Sequence, residues 1–347
     1  MSNFTASDVT IAVLNYNGRD KIPDLFASIT RLEHAPGEVI MVDDGSNDGS
    51  PQWVKEQHPE VRIVAFSENS GGMLNVVRNK ALQESKTDLV FIVDNDVVLT
   101  TQCIEEAVLA MNTLPGATVC MTRAVYEEKP DIIYQDGQIL HYIGASPNIN
   151  RDQPISAVDK EPRLSIGWGV QLINKTKTAD FGWFNEGYML GWGDDGEFNH
   201  KLNMAGRNCY HVPSSVVLHK RHSASKRYVS AVRNRWRFLL EMYQLRTLLL
   251  ITPALLFYEL PLFGFLLMQK RPADYFKGMA TVVGQLPDIF KQRKKIQAKR
   301  VVPDRDLIGC GDIFVYSDEM SSPVLRAGYK FLNNALSFYW RIIRNAL

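Results

Sequence analysis

Short apolar runs alternate with stretches of helical spacing through the first hundred residues. Residues 9–14 are apolar and rich in β-branched side chains, and they end in Asn15-Tyr16-Asn17-Gly18, a strand followed by a turn. Ile22, Leu25, Phe26, Ile29 and Leu32 then recur at the period of a helix over about residues 21–32. A second strand at 38–42 runs into an acidic turn, Asp43-Asp44-Gly45-Ser46. A short helix from 52 to 57, a strand at 61–65 and a helix at 73–84 follow. Residues 89–93 are five apolar residues in succession, closed at once by Asp94-Asn95-Asp96, which reads as a strand buried on both faces. This alternation predicts a doubly wound parallel sheet, an α/β architecture with helices on both sides.

The pattern then loosens. Residues 119–124 and 138–143 read as strands, and the polar, proline-containing stretch 144–163 as a mobile or acceptor-facing loop. A helix from about 196 to 205 carries Phe198 and Leu202, and a strand at 212–218 ends in His219. Residues 248–268 form an apolar stretch long enough to cross a bilayer. It contains Glu259 and two prolines and is flanked by Arg246, Lys270 and Arg271, so a broken or re-entrant helix pair lying in the membrane interface is expected. A polybasic run at 291–300 suits anionic headgroups, and the mixed apolar and basic residues of 324–347 suit an interfacial amphipathic helix.

Charge sharpens this division. The net charge of +1 conceals a contrast: residues 1–219 hold 17 Lys+Arg against 29 Asp+Glu, and residues 220–347 hold 22 against 9. An acidic half at 1–225 and a basic, apolar helical region at 226–347 are therefore expected, the second meeting an anionic membrane surface. Nucleic acid is the other anionic class of partner, but no nucleic-acid motif accompanies the basic residues and a long apolar stretch is unsuited to it. Four cysteines at 103, 120, 209 and 310 show no metal-knuckle spacing. With no signal-peptide pattern at the N-terminus, the expected setting is the reducing, cytoplasmic side.

In an open parallel sheet, ligands gather beyond the carboxyl ends of the strands. Three strand ends carry polar turns, at 15–18, 43–46 and 94–96, and parallel neighbouring strands would bring them to one edge. Asp94 and Asp96, at i and i+2 of an extended segment, would face one ligand, and carboxylates suit Mg2+ or Mn2+. Asn95 would face away and is given no role. Asp194, Asp195 and Glu197 open the later helix beside Trp192, more acids than a cap requires. A surplus of acids around an anionic substrate argues for a cation. Trp192 and Trp183 are candidates for stacking on a ligand ring, with core packing at least as good an account of Trp183.

In this order and spacing the motifs resemble those of the family 2 glycosyltransferases with a GT-A fold, closest in pattern to bacterial rhamnosyltransferase-like enzymes of surface polysaccharides. The likeness covers about residues 8–225. It rests on the strand ending in Asn15 to Gly18, on Val42-Asp43-Asp44-Gly45-Ser46, and on Glu68-Asn69-Ser70-Gly71-Gly72 with Arg78-Asn79. Asp94-Asn95-Asp96, Gly182 to Glu186, Trp192 to Asp195 and His219 complete it. The resemblance implies a Rossmann-like mixed sheet flanked by helices. It also implies a nucleotide-sugar site at Asn15, Asn17, Asp44, Asn69, Gly72, Arg78, Asp94 and Trp192. A Mn2+ or Mg2+ would be held by Asp96 and Asp94 with His219, His222 being a rival to the histidine. Asp195 would be the general base with Asp194 orienting, and a motif usually beginning in Glu leaves the choice between the two aspartates open. The implied activity is an inverting, metal-dependent transfer of a sugar from a nucleoside-diphosphate sugar to a hydroxyl of a lipid-linked or other glycan acceptor at the inner face of the cell membrane. A nucleotidyltransferase is the alternative enzyme, disfavoured because the first strand lacks a basic glycine-rich loop. A non-catalytic sugar- or lipid-binding scaffold is the alternative outside catalysis.

Overall fold

The computed structural model describes residues 3–220, 227–313 and 322–347. Its opening segment is β1 (Val9–Asn15), α1 (Ile22–Ile29), β2 (Glu38–Asp43), α2 (Ser50–Gln57), β3 (Arg62–Ala65), α3 (Leu74–Glu84) and β4 (Leu89–Asp94). The strands pair in parallel in the order β3-β2-β1-β4. Period-two alternation sends their side chains to two layers. Ile11, Val13, Phe91 and Val93 pack with Leu25 and Phe26 of α1, whereas Ala12, Leu14, Val90 and Ile92 pack with Val77, Ala81 and Leu82 of α3. Burial on both faces is why these strands read as continuous apolar runs.

Beyond β4 the sheet is mixed rather than parallel throughout. The chain adds β5 (Val97–Leu99), α4 (Cys103–Thr113), β6 (Ala117–Tyr126), β7 (Lys129–Gln135), β8 (Arg163–Leu164), β9 (Gln171–Asn174), α5 (Lys175–Thr178), α6 (Gly196–Met204) and β10 (Asn208–His219). The short β9 lies antiparallel between β4 and β6, and β10 runs parallel to β6 with β5 antiparallel at its end. Residues 138–143, expected as a strand, make only isolated bridges. Their apolar side chains Leu140, Tyr142 and Ile143 are instead buried against Phe238, Leu239 and Leu336 of the C-terminal helices. A buried Asp136 ties this region together. It accepts hydrogen bonds from Arg123 Nε at 2.6 Å, His211 Nε2 at 2.7 Å, Arg163 Nη2 at 2.8 Å and Asn150 Nδ2 at 2.6 Å. Despite burial, these donors hold its carboxyl far below the usual range.

The C-terminal region is helical: α7 (Tyr228–Met242), α8 (Leu245–Met268), α9 (Pro272–Gly284), α10 (Leu286–Gln297) and α11 (Pro323–Ile343). The expected break in the apolar stretch is absent, since α8 is one continuous helix through Pro253 and Pro261. Both prolines are exposed on its outer face. Glu259 is turned to the protein side, paired with Arg235. The polybasic run also differs from expectation. Arg293, Gln297 and Arg300 donate to the last carbonyls of α7, capping that helix, which leaves Lys291, Lys294 and Lys295 exposed.

Candidate functional site

The strand-end turns converge as the parallel order requires. Asn15 aligns with Asp43 across β1 and β2, and Leu14 with Asp94 across β1 and β4. Asn15 is the hub of this edge. Its Nδ2 donates to Asp43 Oδ1 at 2.7 Å, and its Oδ1 accepts from Asn95 Nδ2 at 2.9 Å. Asn95 is therefore turned toward β1, where it braces the acidic turn, a part the sequence did not suggest. Asn17 joins its Oδ1 to the Asn47 amide at 3.0 Å. Asp44 is capped by the next loop, accepting from Asn69 Nδ2 at 2.9 Å and the Ser70 amide at 2.8 Å. Gly45 has φ +71°, and a Cβ there would lie 2.7 Å from the Asn69 nitrogen, so only glycine lets the two loops close. Gly72 continues this loop, its carbonyl accepting from the Leu190 amide at 3.0 Å.

A second group of residues faces these loops. Arg78 of α3 is buried and donates to Asp194 Oδ2 at 2.7 Å and to Asn75 Oδ1 at 2.9 Å. Asn75 in turn donates to the carbonyls of Asn185 and Asp194. The positive charge of Arg78 acts on Asp194, Asp195 and Asp94 together, so the two acidic motifs share one cleft. Burial pushes the Asp195 carboxyl up to about 6, reinforced by the charge of Asp194 and opposed by Arg78. Asp94 is raised in the same way, by burial and then by Asp96. The neighbouring aspartates thus differ: Asp194 is locked in an ion pair, and Asp195 accepts from the Trp168 and Gly196 amides, at 3.1 and 2.8 Å.

Asp96 Oδ1 lies 3.7 Å from His219 Nε2, because β10 ends beside β5 with His219 opposite Val97. His219 stacks on Tyr134 with ring centroids 4.4 Å apart, and Trp168 approaches it at 5.6 Å. His222 lies outside the described residues. Among the described residues no three His, Cys, Asp or Glu side chains form a complete ion cage. The donor set still fits a hard divalent ion, which takes one or two carboxylates and completes its shell with substrate phosphates and water. Three carboxylates around one guanidinium leave an excess of negative charge that such an ion would offset.

On the other side of Asp195 is a cavity of about 260 Å3, lined by Trp168, Trp192, Tyr134, Gln138 and Arg151 among others. Trp192 stands edge-on to Phe238 of α7, and Asn234 of α7 donates to the carbonyls of Met189 and Trp192. Glu197 does not join the cleft: it is buried and paired with Lys201 at 3.1 Å. Trp183 packs partly buried on the core, its indole donating to the Lys175 carbonyl. Sequence reading missed Asn75, Tyr134 and Trp168. Trp168 has φ +145°, uncommon for a side chain of that size, and this conformation aims its amide at Asp195. The flanking Gly167 and Gly169 were the available signal.

Residues 10–167 match the family described as Glycosyl transferase family 2. The chain is similar to an N-acetylglucosaminyl-diphospho-decaprenol L-rhamnosyltransferase of Mycobacterium tuberculosis, 23% identical over 246 residues that cover 62% of this chain and 77% of the relative. It is similar over 91 residues, at 34% identity, to a putative teichuronic acid biosynthesis glycosyltransferase of Bacillus subtilis, covering 25% of this chain and 35% of that one. Among solved structures it resembles GalNAc-T7 with a TM-score of 0.54 at 17% identity, over 69% of this chain and 48% of that chain. Residues 182–196 fall beyond the family match, so the case for Asp194 and Asp195 rests on their geometry. Over residues 10–167 the chain is similar to glycosyl transferase family 2, and it is a glycosyltransferase with a GT-A-like mixed sheet.

Proposed function

We propose that this glycosyltransferase moves a sugar from a nucleoside-diphosphate sugar to a hydroxyl of a lipid-linked glycan acceptor, with inversion and with a divalent cation, on the cytoplasmic side of a membrane. The observation that carries the reading is the inequality of two neighbouring aspartates that both line the cavity: Asp194 is paired with Arg78 at 2.7 Å, and Asp195 is raised by burial. A carboxylate with its pKa near the working range is suited to take a proton from an attacking hydroxyl. Asp195 is thus the base, and Asp194 with Arg78 positions it. A single base on one face of the sugar, with the leaving group on the other, gives direct displacement and inversion.

Asp44 and Asn69 would meet the nucleotide base, with Gly72 letting the loop approach and Asn15 and Asn17 shaping the edge. Asp94 and Asp96 with His219 would hold Mn2+ or Mg2+, which when bound neutralises charge on the departing diphosphate. Asn95 keeps the Asp94–Asp96 turn against β1, and Trp192 walls the acceptor side. The relative whose name specifies a diphospho-decaprenol substrate, and the neighbour crystallised with UDP, GalNAc and Mn2+, support this choice of donor, acceptor and ion. The test is turnover of a panel of nucleotide sugars with Mn2+. Asp96→Ala is expected to cut turnover about a hundredfold, the loss of several kcal/mol of charge stabilisation, and to abolish the response to added Mn2+. Unchanged turnover and an unchanged Mn2+ response would overturn the cation role, and no turnover by the unmodified protein with any donor would overturn the whole reading.

Membrane contact is supported by α8, which is long and apolar enough to cross a bilayer and is largely exposed. Leu249, Leu256 and Leu260 are 68%, 62% and 72% exposed on it, and Phe331 and Phe338 of α11 extend the apolar area. Exposed lysines of α10 would meet anionic headgroups. Replacing the three leucines by Glu is expected to shift the protein from vesicle-bound to free in a flotation assay on anionic vesicles, with its circular dichroism unchanged. Continued flotation would remove the membrane assignment.

A further inference from the structure

A second cavity, about 320 Å3, lies between α7 and α8. Its walls include Ala231 and Arg235 of α7 and Tyr258, Leu262 and Leu266 of α8. Gln138, Ser146, Asn148 and Trp192 line both this cavity and the one beside Asp195. The two therefore form neighbouring chambers, polar toward the base and apolar toward α8.

Arg235 gives the outer chamber its chemistry. Its side chain is only 6% exposed. Nε donates to the Ile143 carbonyl at 3.0 Å, Nη1 to Glu259 Oε1 at 2.6 Å, and the guanidinium lies 4.7 Å above the Tyr258 ring. Nη2 is buried with no acceptor among the described residues. Glu259 is engaged at both oxygens, Oε1 by Arg235 Nη1 and Oε2 by the Tyr275 hydroxyl at 2.8 Å. A buried guanidinium donor without an acceptor is costly, and an anion beside it removes that cost.

Resting on the reading of this protein as an enzyme of lipid-linked acceptors, we propose that the chamber between α7 and α8 receives the phosphate-bearing end of the acceptor lipid, with Arg235 as its anion contact. The apolar chain would leave along Leu262 and Leu266 toward the exposed face of α8, and the sugar would extend past Trp192 to Asp195. A phosphate with a chain attached satisfies both halves of the chamber; free diphosphate satisfies only one.

The test is calorimetric binding by the full chain in detergent, without donor, using farnesyl diphosphate, farnesol and inorganic diphosphate as probes. Farnesyl diphosphate is expected to bind at least about tenfold more tightly than either of the others. Arg235→Gln and Ala231→Phe, the second filling the chamber without touching Glu259, should each weaken it about tenfold or more, and Arg235→Lys should recover part of the loss. Undiminished binding by Ala231→Phe would overturn the subsite, and an equal loss for inorganic diphosphate in Arg235→Gln would overturn the lipid source in favour of a free anion. Donor turnover plays no part in this measurement, so this subsite and the proposed reaction fail separately.

Discussion

Replacing Asp195 by Asn is expected to lower kcat about a thousandfold while donor binding persists. General-base catalysis contributes about 10²–10⁴ in rate, and Asn cannot take the acceptor's proton. The substitution keeps the shape of the site and retains an oxygen for one of the two amides, Trp168 or Gly196, that Asp195 now binds. The other amide then meets an NH2 group, costing about 1 kcal/mol of stability. The unmodified enzyme supplies a matched check. Because the working form of the base is deprotonated and burial raises Asp195 to about 6, kcat/KM should be full above that pH and fall about tenfold per unit below it. In Asp195→Asn this limb should vanish. A variant that kept both the rate and the acid limb would place the base elsewhere. Asp194 is a poor substitute, since its Oδ2 is held by Arg78 at 2.7 Å.

Replacing Arg78 by Met should destabilise the protein by about 3–5 kcal/mol, the usual cost of removing one partner of a buried ion pair. The Asp194 side chain is 8% exposed and would be left charged without its partner. Asp195 and Asp94 would rise further, because Arg78 is the group that opposes their neutralisation. Two readouts follow. Chemical denaturation should report the lost stability, and the acid limb of any remaining activity should move to higher pH. Asp194→Asn added to Arg78→Met should restore much of the stability, since the isolated charge is then gone, and a double-mutant cycle measures the pair directly. Additive losses in that cycle would mean that the two side chains do not act as a unit.

The legibility of this site follows from the range of the interactions that build it. The turn at 94–96 and its companions at 15–18 and 43–46 are marked by local patterns, apolar runs ending in polar clusters, and parallel pairing makes them converge. The choice between Asp194 and Asp195 is not local. It depends on an arginine 116 residues away in sequence, and no spacing rule reports which of two adjacent acids that arginine will meet. Trp168 reads as one aromatic among several until its φ of +145° is known. Residues 138–143 read as a strand because they form a short apolar run, but Leu140, His141, Tyr142 and Ile143 are all buried and the surface that buries them is helical. The continuous α8 shows the reverse case. Its prolines suggested a break, yet the helix runs on through both.

Helix α7 belongs at once to the wall of the cleft, through Asn234, and to the interior shared by Leu140, Tyr142 and the outer helices. The span between Asp195 and the exposed leucines of α8 is thereby set by packing. If that outer face rests on a bilayer, the base works at one height above the lipid. Acceptors are then sorted by reach: a hydroxyl carried too close to its lipid anchor, or too many sugars beyond it, misses the carboxylate even when its own chemistry is correct.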